Sequence, residues 1–406
     1  MIRNRISHIY RRYPKTFWLL SLATFIDRIG GAIIFPYFAL YVTSHFDVGL
    51  TIVGKLFAIF AVTSLIGSII GGALTDKFGR RLLIILGLIL SASSSLSMGF
   101  VDDLNIFFIV GGFAGLFFNI GGPAQMAMVA DLLPEEDRVE GFGILRVIAN
   151  LAVTIGPAIG GFLAMRSYLS LFIVDAVMSF ITAGVVYSFI SETKPKAKVI
   201  EEQTKSLSET VFGYLVVLRD KVFIAFMFVS MLTVIVYMQM ETTLPVYMRD
   251  IHGFPPQSYG YLLSLNAGIV VLFQFLITRK IANKPPMIIL IIGSAFYMIG
   301  FTLFGFVDLY ICFMLAMAIL TVGEMIINPI AQSLVSRFAP EEMRGRYMAV
   351  FELTFIIPSA IGPLLAGVIV DNYDPNWVWY GSGLLCILAI GGFLYLHVQT
   401  SDRYTQ

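Results

Sequence analysis

Charge is the first thing this chain lacks. Only 13% of its 406 residues are Asp, Glu, Lys or Arg and 58% are apolar, so as a water-soluble domain it would expose more apolar surface than water tolerates. The bilayer is its natural solvent. A net charge of +1 offers no basic field, and no nucleic-acid partner is expected. Cysteine is nearly absent: Cys312 and Cys386 both fall in apolar stretches, where isolated thiols suit packing and not a disulfide framework or metal site. The four histidines, His8, His45, His252 and His397, lie in loops or near the ends of apolar runs, which leaves no histidine-based catalytic or metal constellation. No nucleophile–base set supports an enzyme. No loop of the form GxxxxGK[ST] supports ATP drive within the chain. Neither cofactor nor metal is expected.

Long apolar runs are what the chain has in abundance. A helical span needs ~20 largely apolar residues. Turn and charge clusters divide the chain into twelve such spans, at 17–43, 51–75, 82–101, 105–131, 140–164, 168–190, 220–247, 258–279, 286–306, 309–335, 346–370 and 376–398. The first follows the basic stretch Arg3 to Lys15. It is too long for a signal-peptide core and lacks a small-residue cleavage site, so it reads as a span. One interval, 191–219, is long and polar. It divides the chain into an N-terminal six-helix half (1–190), a cytoplasmic central loop (191–219) and a C-terminal six-helix half (220–406). Of the 27 lysines and arginines, 22 fall on one side of the spans, an asymmetry that places both termini and the central loop in the cytoplasm. The expectation is a multi-pass protein of the cell (inner) membrane, surrounded by lipid and monomeric.

The two halves repeat. Sliding the chain by 206 residues sets Gly54 on Gly260, Pro123 on Pro329, Gly156-Pro157 on Gly362-Pro363 and Gly161 on Gly367. The loop LPEEDR (Leu133 to Arg138) falls on APEEMR (Ala339 to Arg344) without a gap. Two parallel six-helix halves related by an axis along the membrane normal are the build of the major facilitator fold.

The motifs carry the same resemblance. After the second span stands GALTDKFGRR, Gly72 to Arg81, which matches the loop signature G-x-x-x-D-[RK]-x-G-[RK]-[RK] of the major facilitator superfamily at every fixed position. In the fifth span Gly156-Pro157-Ala158-Ile159-Gly160-Gly161 is similar to the G-P-x-x-G-G end of the antiporter signature of proton-coupled drug exporters. Departures occur at Ala152, where glycine is usual, and at Gly111, where such exporters often carry arginine. The segments LRDKVFIAFMF, METTLPVYM and TVGEMIINPIAQSL resemble those of multidrug proton antiporters of the lactococcal lincomycin type, a twelve-helix drug:proton antiporter family. The resemblance implies an all-α membrane protein with the major facilitator fold, twelve transmembrane helices in two halves about a pseudo-two-fold axis. It also implies that the first, fourth, seventh and tenth spans line a central cavity.

Ionisable groups within hydrocarbon cost ~2.5–3.5 kcal/mol on insertion scales, so each calls for a reason. Glu324 lies ~22 Å down the tenth span at 1.5 Å per residue. In a partly dry cavity it can carry a proton; otherwise it is a packing carboxyl bonded to a neighbouring helix. Glu241, with Gln239 close by, reads either as a second proton or substrate carboxylate facing the outer mouth or as an interfacial acid. Asp27 and Arg28 are adjacent and point ~100° apart on a helix, so one faces the cavity and the other an inter-helix partner. Asp27 is the favoured coupling group. Arg146 and Glu352 share the 206-residue offset and form either an inner gate or two separate ion pairs. Asp175 reads as a structural carboxyl.

In the loop after the second span, Gly72 and Gly79 allow a tight turn, Asp76 is free to cap a nearby helix, and Arg80, followed by Arg81, reaches Asp131. These are conformational contacts. Gly156, Pro157, Gly160 and Gly161 supply a bend and a small contact surface.

The leading reading is secondary active export of lipophilic or cationic drug-like compounds in exchange for protons by alternating access. The alternatives are proton-coupled symport of a small nutrient and lipid flipping. Against nutrient symport, the sugar-porter signatures PESPR and PETKG are absent, with only SETK at Ser191 to Lys194, and the peptide-transporter ExxER pattern is missing from the first span.

Overall fold

In hydrocarbon no water satisfies a backbone N–H or C=O, so a spanning segment must close its own hydrogen bonds, and the helix is the form that does so. The computed structural model describes residues 12–194, 216–281, 284–340 and 343–400. Most of the central interval, 195–215, lies outside them, as do Glu341 and Glu342 of the repeated loop. Among the described residues the longer elements are all helices. They are α1 (Lys15–Ile34), α2 (Phe38–Phe46), α3 (Leu50–Phe78), α4 (Arg80–Met98), α5 (Leu104–Phe118), α6 (Gly122–Leu132), α7 (Glu135–Ala164) and α8 (Leu169–Phe189). After the central interval come α9 (Lys221–Thr242), α10 (Leu244–Asp250), α11 (Pro256–Ile281), α12 (Pro286–Leu303), α13 (Tyr310–Phe338), α14 (Arg344–Phe351), α15 (Leu353–Asn372) and α16 (Asn376–Thr400). They form twelve stretches long and apolar enough to cross a membrane, from Lys15–Phe46 to Asn376–Gln399, as the hydropathy reading expects.

Four of the twelve are interrupted, three of them beside a proline. Pro36 turns the first span through the 3₁₀ turn Phe35–Tyr37. The fourth breaks at Asn119–Gly121 and restarts with Pro123 in the first turn, where its missing N–H is free of cost. Its repeat partner Pro329 sits inside an unbroken α13. The difference lies in Gly121-Gly122, which loosen the helix before Pro123, where Ile327-Asn328 precede Pro329. The seventh breaks at Thr243 ahead of Pro245, and the eleventh at Glu352.

The helices gather into two compact units. Unit 1 comprises Met1–Asp47, Ile59–Ile200 and Pro255–Gly260; unit 2 comprises Val48–Ala58, Glu201–Phe254 and Tyr261–Gln406. The first turns of α3 therefore belong to unit 2, and those of α11 to unit 1. Inside unit 1, α1 packs on α7 and α8, and α4 on α5 and α8. Inside unit 2, α9 packs on α15 and α16, and α12 on α13 and α16. These are the same four pairings, and the repeat reaches single bonds. Tyr41 Oη donates to the Met98 carbonyl at 3.1 Å, and Tyr247 Oη to the Phe304 carbonyl at 3.2 Å. Both pairs of positions are 206 apart. Nearby, His45 approaches Asp102 at 3.1 Å and His252 approaches Asp308 at 3.8 Å, the two aspartates again one repeat apart.

Small residues set how closely the helices cross. A Cβ on Gly54 would lie 2.7 Å from the Leu364 nitrogen and 2.9 Å from the Pro363 carbonyl carbon, and one on Gly367 would lie 2.5 Å from Leu50. In unit 1 a Cβ on Gly260 would lie 3.5 Å from Gly161 Cα. Many large side chains, Ile69, Leu272 and Phe275 among them, remain exposed, a surface that lipid solvates and water does not.

Gly54→Ala thrusts its methyl against backbone that cannot swing aside and is expected to destabilise the protein by about 1–3 kcal/mol. Gly72→Ala, on the same helix with nothing within 4 Å of its Cβ position, should be neutral or stabilising. Thermal unfolding of the two variants in detergent measures the contrast.

Candidate functional site

Two buried polar clusters interrupt the apolar interior, one in each unit. In unit 2 the cluster forms where the seventh span breaks. The helix breaks at Thr243 and resumes through Pro245 to Asp250, so Glu241 sits two residues before the break. Gly323 lets α13 lie against α12, since a Cβ there would meet the Gly293 carbonyl at 2.8 Å, and Glu324 follows on the next residue. Glu241 lies close enough to Glu324 to feel its charge. Tyr237 stands one helical turn before Glu241, its ring stacked on Tyr297 of α12 at 6.5 Å. Asn266 of α11 donates its amide to Glu324 Oε2 at 2.7 Å and to Thr321 Oγ1 at 2.9 Å. Both carboxyls are half-buried. Gln239 stands apart: its amide donates to the Ile235 carbonyl at 2.8 Å and its oxygen accepts from Thr243 at 2.8 Å.

In unit 1 Asp27 is turned towards α8, where Ser179 donates to it at 2.8 Å, and Arg28 beside it is exposed. Asp175 accepts from Ser95 of α4 at 2.5 Å and lies near Asp27. It lies against Gly30, where a Cβ would come within 2.8 Å of its oxygen. Asp27 therefore joins Asp175 at the α1–α8 interface. Gln125 of α6 donates to Thr24 of α1 in the same unit.

The loop between α3 and α4 has a different design. Gly79 is at φ +97°, a conformation that favours glycine. Arg80 Nε donates to Asp131 at 2.9 Å, and Asp76 is exposed with only a 3.9 Å approach to Arg80. Arg81 donates to the Tyr187 carbonyl and lies over its ring at 5.2 Å. Sequence reasoning missed Glu192, which stands in the SETK tetrapeptide. Its carboxylate accepts the N–H groups of Arg80 at 2.9 Å and Arg81 at 3.0 Å, and so caps α4. Burial works against the charge, but the backbone N–H groups of Lys194, Arg80, Arg81 and Thr193 outweigh it and hold the carboxyl below its ordinary range. Also missed was Asp371, which accepts from Leu50 N at 2.9 Å and Thr51 N at 2.8 Å.

The remaining candidates fall into place singly. Gly156, Gly160 and Gly161 of α7 face Ala32, Ile33 and Tyr37, and the Tyr37 hydroxyl donates to the Pro157 carbonyl at 2.8 Å. Arg146 is exposed on α7 in unit 1, and Glu352 is exposed at the α14–α15 break in unit 2. Among the described residues no three His, Cys, Asp or Glu side chains are grouped to hold a metal ion.

The family model described as Major Facilitator Superfamily matches residues 20–357 and 328–406. The chain belongs to that superfamily. It is a multi-pass membrane transporter and not an enzyme. It is 27% identical to a Na(+), Li(+), K(+)/H(+) antiporter of Planococcus maritimus over 395 residues, covering 89% of this chain and 91% of that protein. It is 25% identical to the quinolone resistance protein NorA of Staphylococcus aureus over 393 residues, covering 96% and 97%. Among solved structures, the nucleoside transporter NupG superposes with a TM-score of 0.79 at 14% identity, over 94% of this transporter and 100% of that chain. A POT family transporter superposes at 0.77 and 18% identity over 97% of each. These two show the shared fold.

Because the folded carboxyl of Glu192 is held low, its stabilisation is complete above the ordinary glutamate value of about 4.3 and is lost as pH falls through the lowered one. Glu192→Ala should cost about 1 kcal/mol near pH 7, as for a lost helix cap. The deficit against wild type should shrink below about pH 4, where the wild-type carboxylate is also lost. Thermal midpoints of both proteins across pH 3–7 test this.

Proposed function

We propose that this transporter is a proton-coupled exporter of lipophilic or cationic drug-like compounds, working by alternating access with Glu241 and Glu324 as the coupling carboxyls. The observation that carries the reading is a pair of half-buried acids inside spanning helices, Glu324 bonded to an Asn266 that also holds Thr321 and Glu241 near enough to feel the charge of Glu324. Two ionised carboxylates in so dry a place lack an offsetting charge. A proton supplies one, and so does a cationic substrate, so the two compete for the same oxygens and exchange follows. The likeness to NorA over nearly the whole of both chains supports the drug-like substrate. Asp27 and Arg28 serve in this reading as a second coupling locus. Asp76, Arg80, Arg81, Asp131, Arg146 and Glu352 govern the conformational exchange of the halves 1–190 and 220–406, with both termini and the 191–219 loop in the cytoplasm.

A second reading is exchange of an alkali cation for protons. The site offers only oxygen atoms as ligands, the donor type that Na⁺ and K⁺ take. The likeness to the Planococcus antiporter favours it. Proteoliposomes with an imposed pH gradient separate the two: ethidium flux supports the first reading, and Na⁺ or K⁺ flux without ethidium flux supports the second. In either case Glu324→Gln should abolish flux driven by the pH gradient, and unimpaired pumping by that variant would refute the coupling role.

A further inference from the structure

A proline inside a helix leaves one carbonyl without its donor, the one four residues earlier, and in hydrocarbon no water takes the donor's place. In α13 that proline is Pro329, and the carbonyl it leaves belongs to Met325, the residue after Glu324. Met325 is buried. The donor comes from a second helix: Gln274 of α11 places its side-chain amide on the Met325 carbonyl at 3.0 Å. The other hydrogen of that amide goes to Thr278 Oγ1 at 2.9 Å, so the group is held at both hydrogens. Two turns earlier on α11, Asn266 donates to Glu324 itself at 2.7 Å. Two amides of one helix thus hold α13 at successive residues, one through a side chain and one through the backbone. One repeat length back, Pro123 stands for Pro329 and Ser68, with a side chain two bonds shorter, for Gln274. There the helix is broken at Asn119–Gly121, and Asn119 is the residue four before the proline.

We propose that Gln274 is a positioning residue for Glu324: its amide stands in for the N–H that Pro329 lacks, keeps α13 unbroken and so fixes where the Glu324 carboxyl meets Asn266. The role in transport rests on Glu324 being a coupling carboxyl; the role in the helix does not. Without the amide, the Met325 carbonyl is a buried acceptor with no donor, and a helix answers that need by bending open at its proline. The bend falls five residues after Glu324. The part of α13 beyond Pro329 then swings against the part that carries the carboxyl.

Gln274→Leu removes the donor and keeps the bulk. Pro329→Ala returns the missing N–H to α13, which makes the Gln274 amide redundant. The two changes and their combination, in the full chain carrying Cys312→Ser and Cys386→Ser, form a double-mutant cycle. Spin labels at Lys280→Cys and Arg337→Cys, exposed positions near the ends of α11 and α13, read the bend. A kink of about 20° at Pro329 moves a point eight residues beyond it by about 4 Å. Gln274→Leu is expected to shift the distance between the labels by about that much, and the added Pro329→Ala to return it to within about 1 Å of the starting protein. In proteoliposomes under a pH gradient, Gln274→Leu is expected to lower the maximal rate of ethidium flux, or of Na⁺ flux if that is the transported ion, about tenfold with KM within about twofold. Adding Pro329→Ala should bring the rate back to within about twofold. A label distance that Gln274→Leu leaves unmoved overturns the proposal. So does an equal loss with and without Pro329→Ala, which is what a packing role would give. Distance restored without flux overturns the link to Glu324. If Gln274→Leu folds only together with Pro329→Ala, the proposal is supported; if it folds in neither background, it is overturned. A starting protein that moves neither probe refutes the proposed function and leaves the label distances to judge Gln274.

Discussion

The structure depends on how closely two helices can cross when one of them lacks a Cβ. Between helices in lipid there is no gain from removing apolar surface from water, because the tails are as apolar as leucine; van der Waals contact must do that work, and its yield rises as backbones approach. Gly54 against Pro363 and Leu364 in unit 2, and Gly260 against Pro157 and Gly161 in unit 1, bring backbone within reach of backbone. The Tyr37 hydroxyl then closes on the Pro157 carbonyl, a group that also lies 3.4 Å from where a Gly260 Cβ would stand. Asp371 closes on the first N–H groups of α3 in the same way, with Gly49 leaving it room. The Pro157 carbonyl and the Leu50 and Thr51 N–H groups find their partners because small residues let them in.

The same constraint explains the acids. A carboxyl in a spanning helix needs donors, and donors arrive only where helices pack tightly enough for short side chains to reach. Gly30 admits Asp175 beside α1, where Ser95 serves it, and Gly323 brings α13 and its Glu324 against α12. Unit 1 satisfies its acids with serine hydroxyls, whereas unit 2 uses an amide, that of Asn266, shared between Glu324 and Thr321. Shared donors couple what they touch, and that is why unit 2 carries the coupling chemistry in the proposed function.

Much of this was legible in the chain. The spans follow from hydropathy to within a few residues, because hydrocarbon thickness leaves little choice of length. The repeat was legible from glycines and prolines, and those residues turn out to occupy the crossings. Arg80 and Asp131 could be paired because a loop motif restricts where its arginine goes. The hidden part was lateral. These helices are apolar on nearly every side, so periodicity does not say which face meets which neighbour. Asn266 beside Glu324, and Ser179 and Asp175 beside Asp27, therefore went unremarked as neighbours. Glu192 was hidden differently: a polar residue at the edge of a polar interval looks like linker until its oxygens are seen on the first N–H groups of α4.

The repeat also shows which contacts came with the scaffold and which did not. One repeat length away from Tyr237, Glu241, Asn266, Thr321 and Glu324 stand Gly31, Phe35, Phe60, Gly115 and Phe118. One repeat length away from Asp27, Ser95, Asp175 and Ser179 stand Thr233, Phe301, Gly381 and Leu385. Every member of the unit 2 cluster has an apolar or glycine counterpart, and both acids of unit 1 face a position without charge. The crossings and the tyrosine bonds to Met98 and Phe304 recur in both units, so the helix pairings cannot be what distinguishes them. A duplicated scaffold with two unlike polar centres gives each half a different affinity for charge, and a difference in affinity between states is what lets a bound proton bias a moving equilibrium.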